Sequence, residues 1–134
     1  PIFTALGRMR YNYPGGHFDE WFLEYDGGTA WLTEDEGTYS LFTEVEEAVE
    51  FPDITAVRAG QNVMVGNKKV MVKEKGTAEI AGAEGELSFY VEPGTKVVYM
   101  DGVSEGKKIA IEGTENEIEL FTGRPLLARD IVKS

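Results

Sequence analysis

Short apolar stretches alternate with polar residues along most of the chain, and Gly or Pro interrupts them at short intervals. A period of two is that of a half-buried strand, because successive side chains point to opposite faces of a sheet. Phe3–Tyr13 reads as such a strand, with Met9, Tyr11 and Tyr13 on one face and Arg8, Arg10 and Asn12 on the other. Pro14-Gly15-Gly16 forces a turn. Trp21, Leu23 and Tyr25 then share a face, and Asp26-Gly27-Gly28 is a hairpin signal. Thr29–Thr33 resumes the sheet, Glu34-Asp35-Glu36-Gly37 is an acidic turn, and Thr38–Val45 alternates again.

Glu44–Phe51 fits either a helical turn or an edge segment, since Val45, Ala48 and Val49 have helical spacing. Phe51-Pro52-Asp53 marks an internal boundary. Beyond it, Gln61–Val65 and Lys68–Lys75 flank Gly66-Asn67, a pair suited to a primed two-residue turn that sets Val63 and Val65 against Val70 and Val72. Thr77–Ile80 continues the sheet and Ala81–Gly85 turns. Glu86–Val91, Lys96–Met100, Lys107–Glu112 and Glu117–Phe121 follow as strands, and Leu126–Val132 fits a short helix or a closing strand. The pattern predicts an all-β chain with little helix: a small antiparallel barrel or sandwich of two β lobes. It forms one domain over 1–134, with a first lobe at 1–53 and a second at 54–134.

Charge divides along the same boundary. Residues 1–53 hold 12 acidic side chains against two basic ones, Arg8 and Arg10, for −10, whereas residues 54–134 carry −1 of the total −11. A surface this negative repels phosphate backbones and anionic headgroups, so neither nucleic acid nor a membrane surface is an expected partner. No apolar run reaches the roughly 20 residues a spanning helix needs, and no secretory signal pattern opens the chain. Cysteine is absent, which excludes disulfides, thiolate metal sites and Cys nucleophiles and fits a cytoplasmic setting. A single histidine, His17, precludes a His-rich metal site, and no nucleophile elbow, phosphate-cradling loop or Ca²⁺ loop is present. The expectation is therefore no catalytic residues, no metal and no cofactor.

Two groups of residues remain as candidate ligand contacts. Trp21 and Trp31, with Glu34, Asp35 and Glu36 nearby in sequence, have the composition of an aromatic cage for an ammonium group, although large aromatics in strands more often form core. Glu84 and Glu86 flank Gly85; two carboxylates so spaced suit a cation, a shared proton, or the acid and nucleophile of a glycosidase, but they equally suit a solvated strand entry.

Several segments recur in a characteristic order: Phe3-Thr4-Ala5-Leu6-Gly7-Arg8-Met9-Arg10-Tyr11, Asp19-Glu20-Trp21-Phe22-Leu23, Gly28-Thr29-Ala30-Trp31-Leu32, Gly37-Thr38-Tyr39-Ser40-Leu41, Ala59-Gly60-Gln61-Asn62-Val63, Ala83-Glu84-Gly85-Glu86-Leu87, Tyr99-Met100-Asp101 and Gly123-Arg124-Pro125. Their order and spacing resemble the bacterial domain of unknown function 4178 family over nearly the whole chain. Phe18 stands where that family has Trp and Ser88 where it has Pro; its opening strand and the N-terminal zinc ribbon of many relatives have no counterpart here. The resemblance implies no activity. The expected function is a non-catalytic β-rich module that binds a protein partner or a small ligand. The alternatives are a polyamine or cation sensor using the acidic turns, and a carboxylate-based hydrolase.

Overall fold

The computed structural model describes residues 2–25, 28–35, 38–45, 47, 49–85, 92–114, 117–126 and 132–133, and among them every regular element is a strand. In chain order these are β1 (Ile2–Tyr13), β2 (Gly16–Tyr25), β3 (Gly28–Asp35), β4 (Thr38–Glu44), β5 (Asn62–Val65), β6 (Lys68–Gly85), β7 (Lys96–Ser104), β8 (Lys107–Gly113), β9 (Ile118–Leu126) and β10 (Val132–Lys133). The sheet order is β10-β1-β2-β3-β4-β9-β8-β7-β6-β5, and a further antiparallel pairing of β1 with β6 closes it. Of the two expected architectures it is the barrel that forms: eight antiparallel strands, with β5 and β10 added at its edges. Strands from both halves of the chain build it, because β4 pairs β9 and β1 pairs β6. Among the described residues no helix is long and apolar enough to cross a membrane.

Two expectations change, and a third lies outside the described residues. The described residues between Glu44 and Phe51 are neither helix nor strand. Val45, Val49 and Phe51 pack instead on the outside of the barrel, with Ile54 and Val57 beyond them, and tertiary burial overrides the weak helical spacing. The backbone there is tied down as well: Val45 donates to the Leu120 carbonyl, and the Glu50 carbonyl accepts from the Gly66 amide. Second, Lys68–Lys75, Thr77–Ile80 and the predicted turn at Ala81–Gly85 are one 18-residue strand, β6. Its length follows from serving two partners, β7 through Met71–Glu79 and β1 through Glu79–Gly85. Bulges beside Val72 and Arg10 coil it around the barrel. Third, the strand expected at Glu86–Val91 and most of the segment Leu126–Val132 lie outside the described residues.

Gly85 ends β6 with φ +79, and a Cβ there would come within 2.5 Å of the Leu6 carbonyl oxygen. The β1 strand bulges at that same point, between Ala5 and Gly7. Only glycine permits this positive φ together with so close a backbone approach.

Most of the apolar packing lies outside the barrel wall. Val70, Val72, Met100, Ile109, Ile111 and Leu120 form one cluster with the residues of the β4–β5 connection. Leu23, Ala30, Leu32, Leu41 and Leu126 form a second, with Trp21 and Tyr39 against it. Their neighbours in the alternation, such as Trp31 beside Leu32 and Asp101 beside Met100, project the other way, into the barrel.

Candidate functional site

The inward residues of all eight barrel strands surround a cavity of about 540 Å³. Aromatic rings make much of its wall. Phe18 stacks on Tyr11 at 4.8 Å between ring centroids and meets Tyr99 edge-on at 6.1 Å. Trp31 packs against Phe22 at 5.0 Å, and Phe42 and Phe121 complete the lining. The exposed Thr38, Lys73 and Glu74 ring the opening, while Glu20, Ser40, Ala110 and Phe121 are buried. An eight-stranded barrel is wide enough either to be filled by its own side chains or to hold one small molecule. Glycines make room for two of these aromatic side chains: at Gly76 a Cβ would meet the Tyr99 hydroxyl at 2.5 Å, and at Gly123 the Phe42 ring at 2.5 Å.

Carboxyl groups converge inside. Glu20 from β2 is only 8% exposed. It accepts a hydrogen bond from the Tyr11 hydroxyl and shares another with Glu112 from β8. Asp101 from β7 and Glu119 from β9 lie within electrostatic reach of Glu20. Burial pushes both Glu20 and Glu112 above the ordinary carboxylate range; Glu20 raises Glu112 further, whereas the hydrogen bond from Glu112 draws Glu20 part of the way back down. Two carboxyls in hydrogen-bond contact in a desolvated site hold a proton between them. Glu119 is raised to about 8, by burial first and then by its bond to Glu44. The Tyr11 hydroxyl is pushed up by burial and by the charges of Glu20 and Glu112. Lys108 is the cation within the cavity wall; its Nζ donates to Ser40 Oγ at 2.8 Å, linking β8 to β4. Among the described residues no group of three or more acids or His is arranged to hold a metal ion.

The residues singled out from sequence do not form one site. Trp31 lines the lumen, but Trp21 lies on the outer face with Leu23 and Tyr39, so the two tryptophans cannot form a joint cage. Their strand positions are cross-paired one step out of phase, Trp21 with Leu32 and Phe22 with Trp31. Glu34 borders the cavity and accepts from the Tyr39 hydroxyl. Asp35 ends β3, while Glu36 and Glu86 lie outside the described residues. Glu84 is exposed and ion-paired with Arg8 on β1. Arg8 and Arg10 both reach Asp19 on β2, Arg10 by two hydrogen bonds of 2.8 and 3.0 Å. This ladder braces the seam where β6 and β2 flank β1, and Glu84 belongs to it rather than to the cavity. What sequence reasoning missed is Glu20, Asp101 and Glu112. Their signal was the alternation itself: Glu20 shares a face with Phe18 and Phe22, and Glu112 with Ala110.

The motif order agrees with a comparison against protein families, in which a family model matches residues 3–128. The chain belongs to the family described as Domain of unknown function (DUF4178). No curated protein and no solved structure matches it. The family description carries no activity, so the lumen itself must supply the functional reading.

Proposed function

We propose that this family member is a non-catalytic binding barrel that holds a small organic molecule in its lumen. The observation that carries the reading is the cavity of about 540 Å³, lined by all eight barrel strands, walled by aromatic rings and supplied with convergent polar groups. Its volume falls within the roughly 300–1,000 Å³ of small-molecule sites, which combine apolar walls with a few placed polar groups. The polar complement is Glu20 of β2, Asp101 of β7 and Glu112 of β8, with Lys108 of β8 bonded to Ser40 of β4. The carboxyl geometry favours binding over hydrolysis. Glu20 and Glu112 bond to each other, whereas the two acids of a glycosidase stand about 5–10 Å apart with the scissile bond between them.

The test is a thermal-shift and native mass spectrometry screen of a library of small organic molecules, run on the intact chain and on Ala110→Trp. Ala110 is buried in the cavity wall, so an indole there fills the space a ligand would take. Ligands that bind only the folded state raise its melting temperature by mass action. At least one compound should bind one-to-one and stabilise the wild type but not Ala110→Trp. Compounds that stabilise both proteins equally, or a library without a single binder, would overturn the reading.

A further inference from the structure

We infer that the lumen's ligand is a small organic ammonium with a flat apolar body, its cationic head seated among Glu20, Asp101 and Glu112. This rests on the lumen being a binding site and names the ligand class that fits it. Three acids from three different strands, β2, β7 and β8, converge on one part of the cavity. A structural role would need only one of them to hold a proton, and packing alone would be better served by apolar residues. The rest of the wall is the complement of an organic cation: the rings of Phe18, Trp31 and Tyr99 offer π faces that attract positive charge. The acids are not arranged as a metal cage. The acids gather at one place on the wall, which suits a single ammonium better than an extended polycation. This moves the cation site from the surface turns at Glu34, Asp35 and Glu36 to the barrel interior.

The groups facing the Glu20–Glu112 pair set its response to pH. Tyr11 reaches it from β1, Asp101 from β7 and Glu119 from β9, the last bonded to Glu44 of β4. Tyr99 of β7 lies beside Glu74 of β6. Lys108, on the same strand as Glu112, is engaged with Ser40 of β4; Lys73 of β6 and Glu34 of β3 stand at the cavity's border. Acids therefore outnumber bases around the pair, which keeps a proton on it when the lumen is empty. An entering ammonium supplies the missing counter-charge with its own N–H donors, and the shared proton leaves to solvent. Binding and proton release are then one event.

The experiment titrates 2-phenylethylamine, 2-phenylethanol and 3-phenylpropionate into the intact chain by calorimetry at pH 6, 7 and 8. Phosphate and Tris are used in parallel, because their ionisation enthalpies differ. Only the amine should bind. Its affinity should rise by up to ~10-fold per pH unit while the pair is protonated, and its apparent enthalpy should differ between the buffers. Glu112→Gln and Asp101→Asn, each first shown to melt cooperatively, should weaken amine binding ~10-fold or more, because each removes a charge-assisted partner. Equal affinity for the alcohol, a pH-independent amine affinity, or full binding by both variants would overturn the ammonium assignment. If the alcohol or acid binds and Ala110→Trp abolishes it, the lumen site stands and only the ligand class falls. If none of the three probes nor any library compound binds, both readings fall together.

Discussion

Replacing Glu20 by Gln should stabilise the protein at pH 8 and leave it nearly unchanged at pH 5. Glu20 is 8% exposed and points into the lumen, and burial raises its carboxyl from the ordinary 4.5 to about 7. Below pH 4.5 the acid is protonated in both folded and unfolded chains, so it contributes no pH dependence. Between 4.5 and about 7 the unfolded chain releases the proton while the folded chain keeps it. Folding then binds protons, and stability falls as pH rises; above about 7 the loss is complete. A displacement of this size corresponds to at most ~3 kcal/mol, at about 1.36 kcal/mol per pH unit. Glutamine reproduces the protonated acid: its carbonyl accepts from Tyr11 and its amide donates to Glu112. For a chain of this length each kcal/mol moves the melting temperature by roughly 3–5 °C. Glu20→Gln should therefore melt ~3–10 °C above the wild type at pH 8 and within ~2 °C of it at pH 5. Thermal melts followed by tryptophan fluorescence, with urea titrations at pH 5, 6, 7 and 8, measure this. The general self-repulsion of a chain carrying −11 affects both proteins alike and cancels in the difference. A gap between them that is the same at pH 5 and pH 8, or a variant less stable at both, would refute the reasoning.

The outer clusters supply the folding energy, so Ile111→Ala, at a fully buried position of the larger cluster, should cost ~2–5 kcal/mol in urea titrations; a cost below ~1 kcal/mol would show that this face is not the core. Gly102→Ala places a Cβ within 2.5 Å of the Met71 carbonyl oxygen and should destabilise by ~1–3 kcal/mol, as overpacking does, with no rescue by any larger side chain. In Trp21→Phe the fluorescence comes from Trp31 alone, in the lumen wall, and should change on addition of a lumen ligand, whereas Trp31→Phe should leave a signal blind to it. Asp19 is held below the usual carboxylate range by its hydrogen bonds to Arg10; its stabilisation is present above the ordinary 3.8 and disappears as pH falls, so Asp19→Asn should lower the melting temperature at pH 7 and leave it unchanged near pH 3. Glu84→Gln, which breaks only the exposed pair with Arg8, should leave both stability and ligand binding intact.

Strand order was legible wherever turn chemistry was local. Gly66-Asn67 produces the β5–β6 hairpin with Val63 opposite Val70, and Pro14-Gly15 produces β1–β2. The closure was not, because pairing β1 with β6 and β4 with β9 joins residues far apart in sequence, and no local signal reports such contacts. The site was missed for a more specific reason. Alternation identifies two faces but does not say which one looks inward. In β8, the alternation sets Ile109 and Ile111 on one face and Lys108, Ala110 and Glu112 on the other. Ile109 and Ile111 are buried, but under the β4–β5 connection, and the charged face closes on the lumen. The ambiguous stretch at Glu44–Phe51 and the hidden acids are thus one problem: the segment that could not be assigned is the cover that turns the barrel's apolar face outward.

That arrangement separates what folds the chain from what the lumen can hold. With two of the apolar clusters outside the wall, folding does not rest on the smaller inner cluster of Met9, Tyr11, Ala78, Ile80 and Val97 alone, and the lumen carries groups that folding alone would exclude. A hydrogen-bonded carboxyl pair in a desolvated site costs stability whenever it ionises, and apolar residues at Glu20 and Glu112 would remove the cost. Strongly perturbed acids that share one cavity are more often found at functional sites than elsewhere. The two roles part on one readout of the same substitution. If the pair only braces β2 against β8, Glu20→Gln keeps the hydrogen bonds, gains stability at pH 8 and leaves ammonium affinity untouched. If the pair exists to receive a cation, Glu20→Gln must gain stability at pH 8 and lose ammonium affinity at the same pH, since both effects come from the one charge removed.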